Sequence, residues 1–324
     1  MGLANRPMHG EVMGTSPLVA LVFLFLALGP SAARSEDPQG KNAPSCYAVL
    51  YIVFPQSQIF LDCNGQRQRI PTGGHVTKFA VDQDGSTLAL TRMRFRIEGR
   101  TAVAINDLGV LDLRGQGSMR VSLDHGGDLR ATCGTVVMFE GSTAHDLING
   151  SELRMKPYRH FRCSSDRKIG AGVKKRTSHD LVVGSPPQRR VIRRVPKMPF
   201  DLSPNGRYLA YVPSYTGLCV ADLQAQTYCT NLSWAPWDLS VSDEGEVMFT
   251  ASSAEPGYWR PGQRSATHVQ APGVDAQWLT PRAAAALLGW SAARGSPQWP
   301  TNWSTPEFVL IPSIAPTVPW PPPQ

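Results

Sequence analysis

The stretch Phe200–Val212, FDLSPNGRYLAYV, is a hydrophobic alternation that stops at a run of turn-forming residues and then resumes. Alternation at period two is typical of a half-buried β-strand. Pro204 favours the start of a turn, and Asn205 and Gly206 tolerate the positive φ that a tight turn requires. The stretch therefore predicts two short strands joined as a tight β-hairpin.

Weaker copies of this hairpin recur along the chain at a nearly constant spacing. They are KFAVDQDGSTLALT from Lys78, MRVSLDHGGDLRAT from Met119, HFRCSSDRKIGAGV from His160, WDLSVSDEGEVMFT from Trp237 and AQWLTPRAAAALLGW from Ala276. Their first strand positions lie near 79, 120, 161, 200, 239 and 277, so the steps are 41, 41, 39, 39 and 38 residues. A period of about 40 with several short strands per unit is typical of a β-propeller, in which neighbouring sheets bury each other's faces. The predicted fold class is all-β, with a single β-propeller.

The number of blades depends on how the ends of the chain are assigned. Cys46–Ile70 contains three further predicted strands, and EFVLIPSI at Glu307–Ile314 is one more. If that last strand pairs with the first three, the ring closes and no sheet edge is left exposed. This assignment predicts seven four-stranded blades, and six blades is the alternative.

The N-terminal segment predicts export. Pro17–Leu28, PLVALVFLFLAL, is an apolar run of twelve residues, which is short for a membrane span and usual for a signal-peptide core. Ser31 and Ala33 occupy the small-residue positions of a cleavage site, so cleavage is expected after Ala33; an uncleaved anchor is the alternative. The predicted organisation is a signal peptide at 1–33, a linker at 34–44, the propeller at 45–314 and a proline-rich tail at 315–324. The mature chain is expected in the periplasm or outside the cell, with no transmembrane segment.

Cysteine usage agrees with export. The six cysteines, all beyond the expected cleavage site, are Cys46, Cys63, Cys133, Cys163, Cys219 and Cys229. An even number in an exported chain indicates disulfides, although six cysteines allow fifteen pairings. The strand–turn–strand pattern of LCVADLQAQTYC favours Cys219 with Cys229, and the same logic is compatible with Cys46 and Cys63. A metal site is disfavoured because there is no CxxC and no histidine at ligand spacing.

One longer string carries a resemblance to a known family. SPNGRYLAYVPSYTGLCVADLQAQ resembles the repeat of TolB-type periplasmic propellers and their WD-repeat-like relatives, whose units run from SPDG to a short strand that ends in Asp-Leu. The likeness is good over Phe200–Leu232 and fair for Lys78–Thr91 and Trp237–Ala251. Asn205 replaces the usual Asp, and no Trp-Asp dipeptide ends a third strand. The resemblance implies membership of this β-propeller superfamily and points to no specific functional family.

No catalytic constellation is evident. The histidines of the mature chain stand singly on different repeats: His75, His125, His145, His160, His179 and His268. There is no GxSxG elbow for a serine hydrolase. The acidic residues at hairpin turns are interpreted as turn formers rather than calcium ligands: Asp82, Asp84, Asp124, Asp166 and Asp243. We therefore predict no catalytic residue, no metal and no cofactor.

Basic residues are concentrated in one repeat. Between Arg162 and Arg194 there are ten basic and two acidic residues, a balance of +8 in a chain whose net charge is +7. Such a concentration attracts anions. The predicted anion- or partner-binding residues, which we call the basic patch, are Lys174, Lys175, Arg176, Arg189, Arg190, Arg193 and Arg194. A solvated loop without a ligand is the alternative.

These observations predict a monomeric, non-catalytic binding scaffold that presents a loop face to a protein or to an anionic envelope component. That component would be a lipid head group or an acidic polysaccharide. Nucleic acid is disfavoured by the expected location outside the cytoplasm. The alternative is a lyase or hydrolase acting on an anionic carbohydrate at the central funnel, with the basic patch and histidines of separate blades. A third interpretation is a structural module. The tryptophans near the C-terminus are interpreted as core rather than as sugar-stacking residues: Trp278, Trp290, Trp299, Trp303 and Trp320.

Overall fold

The computed structural model of the protein describes residues 46–299, apart from short gaps, and residues 318–319. The gaps are 54–55, 99–100, 116–118, 123–124, 126, 141–142, 155–157, 175–179, 186–188, 193–198, 252–253 and 270–272. The expected signal peptide, linker and cleavage site lie outside the described residues and stay predictions. So does the expected end of the propeller at residue 314.

Six β-sheets follow one another along the chain as the blades of a propeller. Blade 1 contains β1 (Cys46–Val53), β2 (Gln56–Cys63) and β3 (Gln66–Pro71), and blade 2 contains β4 (Val76–Val81), β5 (Thr87–Glu98), β6 (Thr101–Asp112) and β7 (Arg120–Ser122). Blade 3 contains β8 (Asp128–Thr132), β9 (Thr135–Glu140), β10 (Thr143–Asp146) and β11 (Glu152–Arg154), and blade 4 contains β12 (Tyr158–Cys163), β13 (Gly170–Lys174), β14 (Leu181–Gly184) and β15 (Arg189–Ile192). Blade 5 contains β16 (Phe200–Leu202), β17 (Tyr208–Tyr211), β18 (Gly217–Asp222) and β19 (Thr227–Asn231), and blade 6 contains β20 (Pro236–Val241), β21 (Val247–Ala251), β22 (Ala254–Trp259) and β23 (Thr267–His268). The chain continues with β24 (Asp275–Leu279), α1 (Pro281–Arg294) and the two-residue β25 (Val318–Pro319), which pairs parallel to β11.

The hairpin predicted at Phe200–Val212 is confirmed. β16 and β17 pair in antiparallel register, with Phe200 opposite Tyr211 and Leu202 opposite Leu209. Gly206 has φ of +74°, and a Cβ atom there would lie 3.0 Å from Ile169 and Ser164 of blade 4. Glycine is therefore required both by the turn and by the neighbouring blade. The next strand, β18, is buried at all six positions, because blades pack against both of its faces.

The expectation of seven blades is wrong, and the alternative of six blades is correct. β24 does not open a blade of its own, because it pairs with β1 as the innermost strand of blade 1 and is followed by a helix. The ladder runs from Cys46 opposite Leu279 to Leu50 opposite Asp275. The strand expected to close the ring, Glu307–Ile314, lies outside the described residues, and β24 occupies the closing position.

The hairpin copy from Met119 was also misplaced. Arg120–Ser122 is β7, the outermost strand of blade 2, whereas Asp128–Thr132 is β8, the innermost strand of blade 3. The turn between them connects two blades and is not the inner hairpin of one. The other five copies each begin at an innermost strand. The long strands β5 and β6, twelve residues each, lengthen blade 2 and shift the repeat there.

Helix α1 covers the core beneath blades 1 and 2. Thr280 caps its N-terminus by accepting from the Ala283 N–H at 3.1 Å, and Pro281 suits the first helical position. The helix buries Ala283, Ala284, Leu287 and Trp290 in a cluster that includes Leu279 and Ile70 of blade 1. This helix is the only one among the described residues, and none there is long and apolar enough to cross a membrane.

The prediction that the C-terminal tryptophans belong to the core is confirmed for those among the described residues. Trp290 and Trp299 are buried, and the indole N–H of Trp299 donates to the Thr72 carbonyl at 2.9 Å. Trp278 is half-buried and packs edge-on against Tyr47. Trp303 and Trp320 lie outside the described residues.

The six cysteines form three disulfides. Cys46–Cys63 and Cys219–Cys229 join paired strands within blades 1 and 5, as the strand–turn–strand pattern indicated. The third, Cys133–Cys163, joins the turn after β8 in blade 3 to the end of β12 in blade 4. This disulfide is therefore a covalent link between two blades.

We expect loss of the inter-blade disulfide to destabilise the protein more than loss of a disulfide within one blade. Cys133 and Cys163 are 30 residues apart, whereas Cys219 and Cys229 are 10 apart. The larger loop restricts the unfolded chain more, which predicts about 1 kcal/mol of additional loss for Cys133→Ala/Cys163→Ala over Cys219→Ala/Cys229→Ala. Urea unfolding of the two double variants measures this difference, and an equal or smaller loss for the inter-blade pair would contradict the prediction.

Ring closure by β24 can be tested with a series of shortened chains that end after residues 305, 280 and 274. The first should unfold as cooperatively as the full chain. The second keeps β24 but loses α1, so its melting temperature should fall. The third also loses β24, which exposes the edge of β1, and it should not unfold cooperatively. Calorimetry on the series decides the point: a 274-residue chain as stable as the 280-residue chain would show that β24 does not close the ring.

Candidate functional site

Every innermost strand contributes a charged residue to the channel, and β8 carries a second one, Asp128, whose Oδ2 lies 3.0 Å from Arg130 Nε. In blade order these residues, here called the axial charges, are Asp275, Lys78, Arg130, Arg162, Asp201 and Asp238. Blades 2, 3 and 4 supply the three cations, and blades 5, 6 and 1 supply the three anions. The two charge types therefore occupy opposite halves of the ring.

A salt bridge spans the channel between opposite blades. Arg130 of blade 3 pairs through Nη1 with Asp238 of blade 6. Lys78 Nζ lies 2.9 Å from Asp238 Oδ2 and 3.5 Å from Asp275 Oδ1. Burial alone would raise the pKa of Asp238, but Arg130 and Lys78 outweigh burial and hold that pKa well below its usual range. Asp238 thus accepts from two cations and stays ionised.

The other two axial carboxyls tie neighbouring blades together. Asp275 accepts from the Phe79 N–H of blade 2 at 3.0 Å, and Asp201 accepts from the Val241 N–H of blade 6 at 2.9 Å. Burial raises the pKa of Asp275 to about 7 and the pKa of Asp201 to about 6, although Lys78 and Arg162 respectively oppose the shift. These two carboxyls therefore combine a structural hydrogen bond with titration near neutral pH.

Arg162 completes the axial charges and has an unusual environment. Only 7% of the residue is exposed, and its guanidinium lies over the rings of Phe139 at 5.0 Å and Phe200 at 5.6 Å. Nη1 donates to the Phe161 carbonyl at 2.8 Å, while Nε is 3.5 Å from Asp201 Oδ1. Burial and then the charge of Arg130 lower the pKa of Arg162. The sequence placed Arg162 in the basic region of blade 4, whereas the structure places it on the axis.

A cavity of about 190 Å³ lies where the inner strands of blades 5, 6, 1 and 2 end in their turns. Its polar lining includes Asp82, Asp201, Asp243, Glu244 and Gln277, and no lysine or arginine is among the described residues around it. Such a lining repels anions. The alternative function, an enzyme that acts on an anionic carbohydrate at the funnel, is therefore not favoured by this geometry.

The cavity's carboxyls are also engaged in holding the turns. Asp82 accepts from the Thr87 N–H at 2.8 Å and from the Ser86 hydroxyl, and Asp243 accepts from the Asn205 N–H of blade 5 at 2.7 Å. Burial, with the neighbouring Asp84, raises the pKa of Asp82 to about 6. These contacts agree with the interpretation of Asp82 and Asp243 as turn formers, while Asp124 lies outside the described residues.

The axial ion pairs named above join lysine and arginine to aspartate, and His160 and His268 are exposed. His179 lies outside the described residues. Within the described part of the chain, no group of histidine, cysteine, aspartate and glutamate side chains could hold a metal.

Two residues of the basic patch lie on the rim of the ring. Arg189 and Arg190 are exposed on β15, the outermost strand of blade 4, and Lys174 ends β13. Lys175, Arg176, Arg193 and Arg194 lie outside the described residues. Arg189 Nη1 lies 3.3 Å from the Tyr158 hydroxyl, and neither β15 arginine forms an ion pair with a described residue. Five other exposed arginines are paired: Arg67 with Asp62, Arg114 with Asp84, Arg154 with Glu152, Arg207 with Asp222 and Arg260 with Glu246. Five more are exposed and, like the β15 arginines, form no ion pair with a described residue: Arg69, Arg120, Arg264, Arg282 and Arg294.

The axial charges were not singled out from the sequence, although a signal was present. In four copies a charged residue comes shortly before the turn: Lys78 in KFAV, Arg162 in HFRC, Asp201 in FDLS and Asp238 in WDLS; Asp275 directly precedes the copy that begins at Ala276. Innermost strands face the axis, so a charge recurring at this position indicates a charged channel. The partners of each charge could not be read from the pattern, since they belong to other blades.

Comparison with known proteins adds a fold-level likeness. No family model and no curated protein matches the chain. Among matching solved structures, AztD from Citrobacter koseri is 8% identical with a TM-score of 0.45, over 73% of this chain and 98% of that one. The β-propeller domain of the trilobed protease from Pyrococcus furiosus is 13% identical with a TM-score of 0.38, over 70% and 81%. The β-propeller domain of Cps50 (Swd1) from Myceliophteria thermophila is 16% identical with a TM-score of 0.38, over 62% and 71%.

At these values the likenesses carry no argument about function. The class of this protein is given by its own blades: it is a six-bladed β-propeller. The sequence resemblance to propeller repeats is supported at the level of the fold. Neither comparison by sequence identifies a family within that class.

We expect Asp275→Asn and Asp238→Asn to change the pH dependence of the unfolding free energy in opposite senses. The raised pKa of Asp275 means that the folded state holds an extra proton between about pH 4 and about pH 7, so this contribution to stability falls as pH rises through that window. The depressed pKa of Asp238 means that its contribution is complete above about pH 4 and is lost as pH falls.

Relative to the unsubstituted protein, Asp275→Asn should therefore cost less at about pH 8 than at about pH 5, and Asp238→Asn should cost more at about pH 5 than at about pH 3. Urea unfolding of both variants at these pH values provides the measurement. Each variant serves as the other's control. If the cost of both substitutions changed with pH in the same direction, the opposite pKa shifts of Asp275 and Asp238 would be contradicted.

Proposed function

We propose that this protein is an exported, non-catalytic binding propeller that uses the basic patch to recognise an anionic component of the cell envelope. The observation that carries the proposal is the state of Arg189 and Arg190. Both are exposed, adjacent on the outermost strand and without an ion-pair partner among the described residues, and they lie in the repeat that holds ten basic and two acidic residues. Unpaired cations on a rigid strand retain their field for a partner.

The arrangement of the ring supports a binding role over a catalytic one. The axial charges largely pair with one another. Asp201 and Asp275, whose pKa values are raised, also accept hydrogen bonds from backbone N–H groups of neighbouring blades. The axial charges are thus engaged in contacts between blades. The β15 arginines on the rim, in contrast, form no ion pair with a described residue.

The ligand class follows from charge and from the expected location. A lipid head group and an acidic polysaccharide share the anionic groups that arginine binds through paired N–H donors. The geometry of β15 suits either one, because its arginines project from the outermost strand of a blade toward opposite sides of that strand. Monomeric behaviour and the export route remain part of the proposal.

We expect the Arg189→Gln/Arg190→Gln variant to lose affinity for anionic surfaces. Near such a surface each arginine contributes about 1 kcal/mol, so the double variant should bind roughly 30-fold more weakly. The matched control is Arg282→Gln/Arg294→Gln, which removes the same charge from the exposed side of α1. A further variant neutralises all seven residues of the basic patch and should abolish binding.

Binding is measured by co-sedimentation with phosphatidylglycerol vesicles and with alginate beads, each at low and high salt. Phosphatidylcholine vesicles and agarose beads are the neutral counterparts. Retention on one anionic matrix alone assigns the source of the anion. Equal binding by the rim variant and the α1 control, or binding that does not weaken with salt, would show that the basic patch is not a recognition surface.

A further inference from the structure

A second surface, between blades 5 and 6, has a different chemistry from the basic patch. Three large aromatic side chains are exposed there: Tyr215 by 82%, Trp234 by 51% and Trp237 by 65%. Tyr215 lies in the loop between β17 and β18, Trp234 in the connection from blade 5 to blade 6, and Trp237 near the start of β20. None of the three rings stacks on another ring within the described residues.

The topology brings these aromatic residues to one face of the ring. In a four-stranded blade the loop between the second and third strands and the connection to the next blade lie at the same end. A hydrogen bond fixes this neighbourhood, since the Leu232 N–H donates to the Thr216 carbonyl at 2.8 Å. The loop that carries Tyr215 therefore runs alongside the segment that leads to Trp234.

A cavity of about 120 Å³ opens beside Trp234, and we call it the aromatic groove. Leu232, Phe249 and Ala251 supply its apolar lining. Its polar lining consists of Asn231, Ser233, Ser265 and His268, whose side chains form no hydrogen bond with the described residues. No aspartate, glutamate, lysine or arginine is among the described residues that line it.

The combination specifies the chemistry of an occupant. Exposed tryptophan and tyrosine rings are costly to leave in water and suit contact with a flat apolar face. Amide and hydroxyl groups without internal partners can satisfy hydroxyl groups of a ligand, and the lack of fixed charge favours a neutral one. A pyranose ring offers a C–H face for stacking and hydroxyl groups at its edge. We propose that the aromatic groove binds a sugar unit of an uncharged glycan.

This proposal stands independently of the basic patch, which lies on blade 4 and recognises charge. A protein segment is the other occupant that exposed aromatic residues can serve. The glycan is favoured because four polar side chains without partners surround one small cavity, whereas a protein hot spot centres on an apolar pocket sealed from water.

The test titrates the full chain, produced without glycosylation, with the four uncharged tetrasaccharides cellotetraose, maltotetraose, mannotetraose and N-acetylglucosamine tetramer. Isothermal titration calorimetry is run at low and high salt. The variants are Trp234→Ala and Asn231→Ala, both at exposed positions, and the control is Arg189→Gln/Arg190→Gln. Circular dichroism melting checks that each variant remains folded.

We expect at least one tetrasaccharide to bind with an affinity that salt does not change. Trp234→Ala should weaken that binding by about tenfold or more and Asn231→Ala by a few-fold, since stacking and one hydrogen bond are removed respectively. The rim control should bind like the unsubstituted protein.

Failure of all four sugars to bind would overturn the proposal, as would equal binding by Trp234→Ala. A bead-displayed peptide library serves as the second probe. Peptide capture that Trp234→Ala abolishes, with no sugar bound, would assign the aromatic groove to a protein partner instead. Because the rim control is measured in both experiments, failure of the glycan site and failure of the proposed function are distinguishable.

Discussion

The structure depends on the closure of a ring by a five-residue ladder between β24 and β1. A four-stranded sheet has two faces to bury, and a blade buries both only when it has a neighbour on each side. A linear row of blades would leave two end faces and two strand edges exposed to water. Pairing Asp275–Leu279 with Cys46–Leu50 removes these ends at once. The disulfide Cys133–Cys163 adds a covalent link between two blades of the closed ring.

Closure also creates the axial charges. The axial charges lie on different innermost strands, and they meet only because six blades share an axis. The salt bridge from Arg130 to Asp238 joins opposite blades and is largely buried. Each charge therefore offsets part of the desolvation cost of the other. Asp201 and Asp275 satisfy N–H groups of the next blade. The centre of this propeller is thus part of its structural framework, and an acidic cavity adjoins it.

The two proposed binding surfaces lie away from this centre and differ in character. Arg189 and Arg190 on blade 4 present positive charge that no described carboxylate neutralises. Between blades 5 and 6, Trp234 adjoins uncharged polar groups without internal partners. A rigid ring suits such a division, since adjacent blades hold separate surfaces at fixed positions while the closed core keeps either surface from disturbing the other.

The sequence by itself determined the repeat, the all-β propeller class and the hairpin of blade 5, and it favoured the disulfide Cys219–Cys229 and was compatible with Cys46–Cys63. All of these rest on local physics: strand alternation, turn residues such as Asn205 and Gly206, and cysteines on paired strands. The number of blades was decided by tertiary structure, because only a long-range pairing shows that the copy at Ala276 completes blade 1. The shift at Met119 has a similar cause, since turns between blades and turns within a blade use the same residues. The axial charges, the burial of Arg162 and the aromatic groove depend on which blades become neighbours in a closed ring, and no local pattern specifies that.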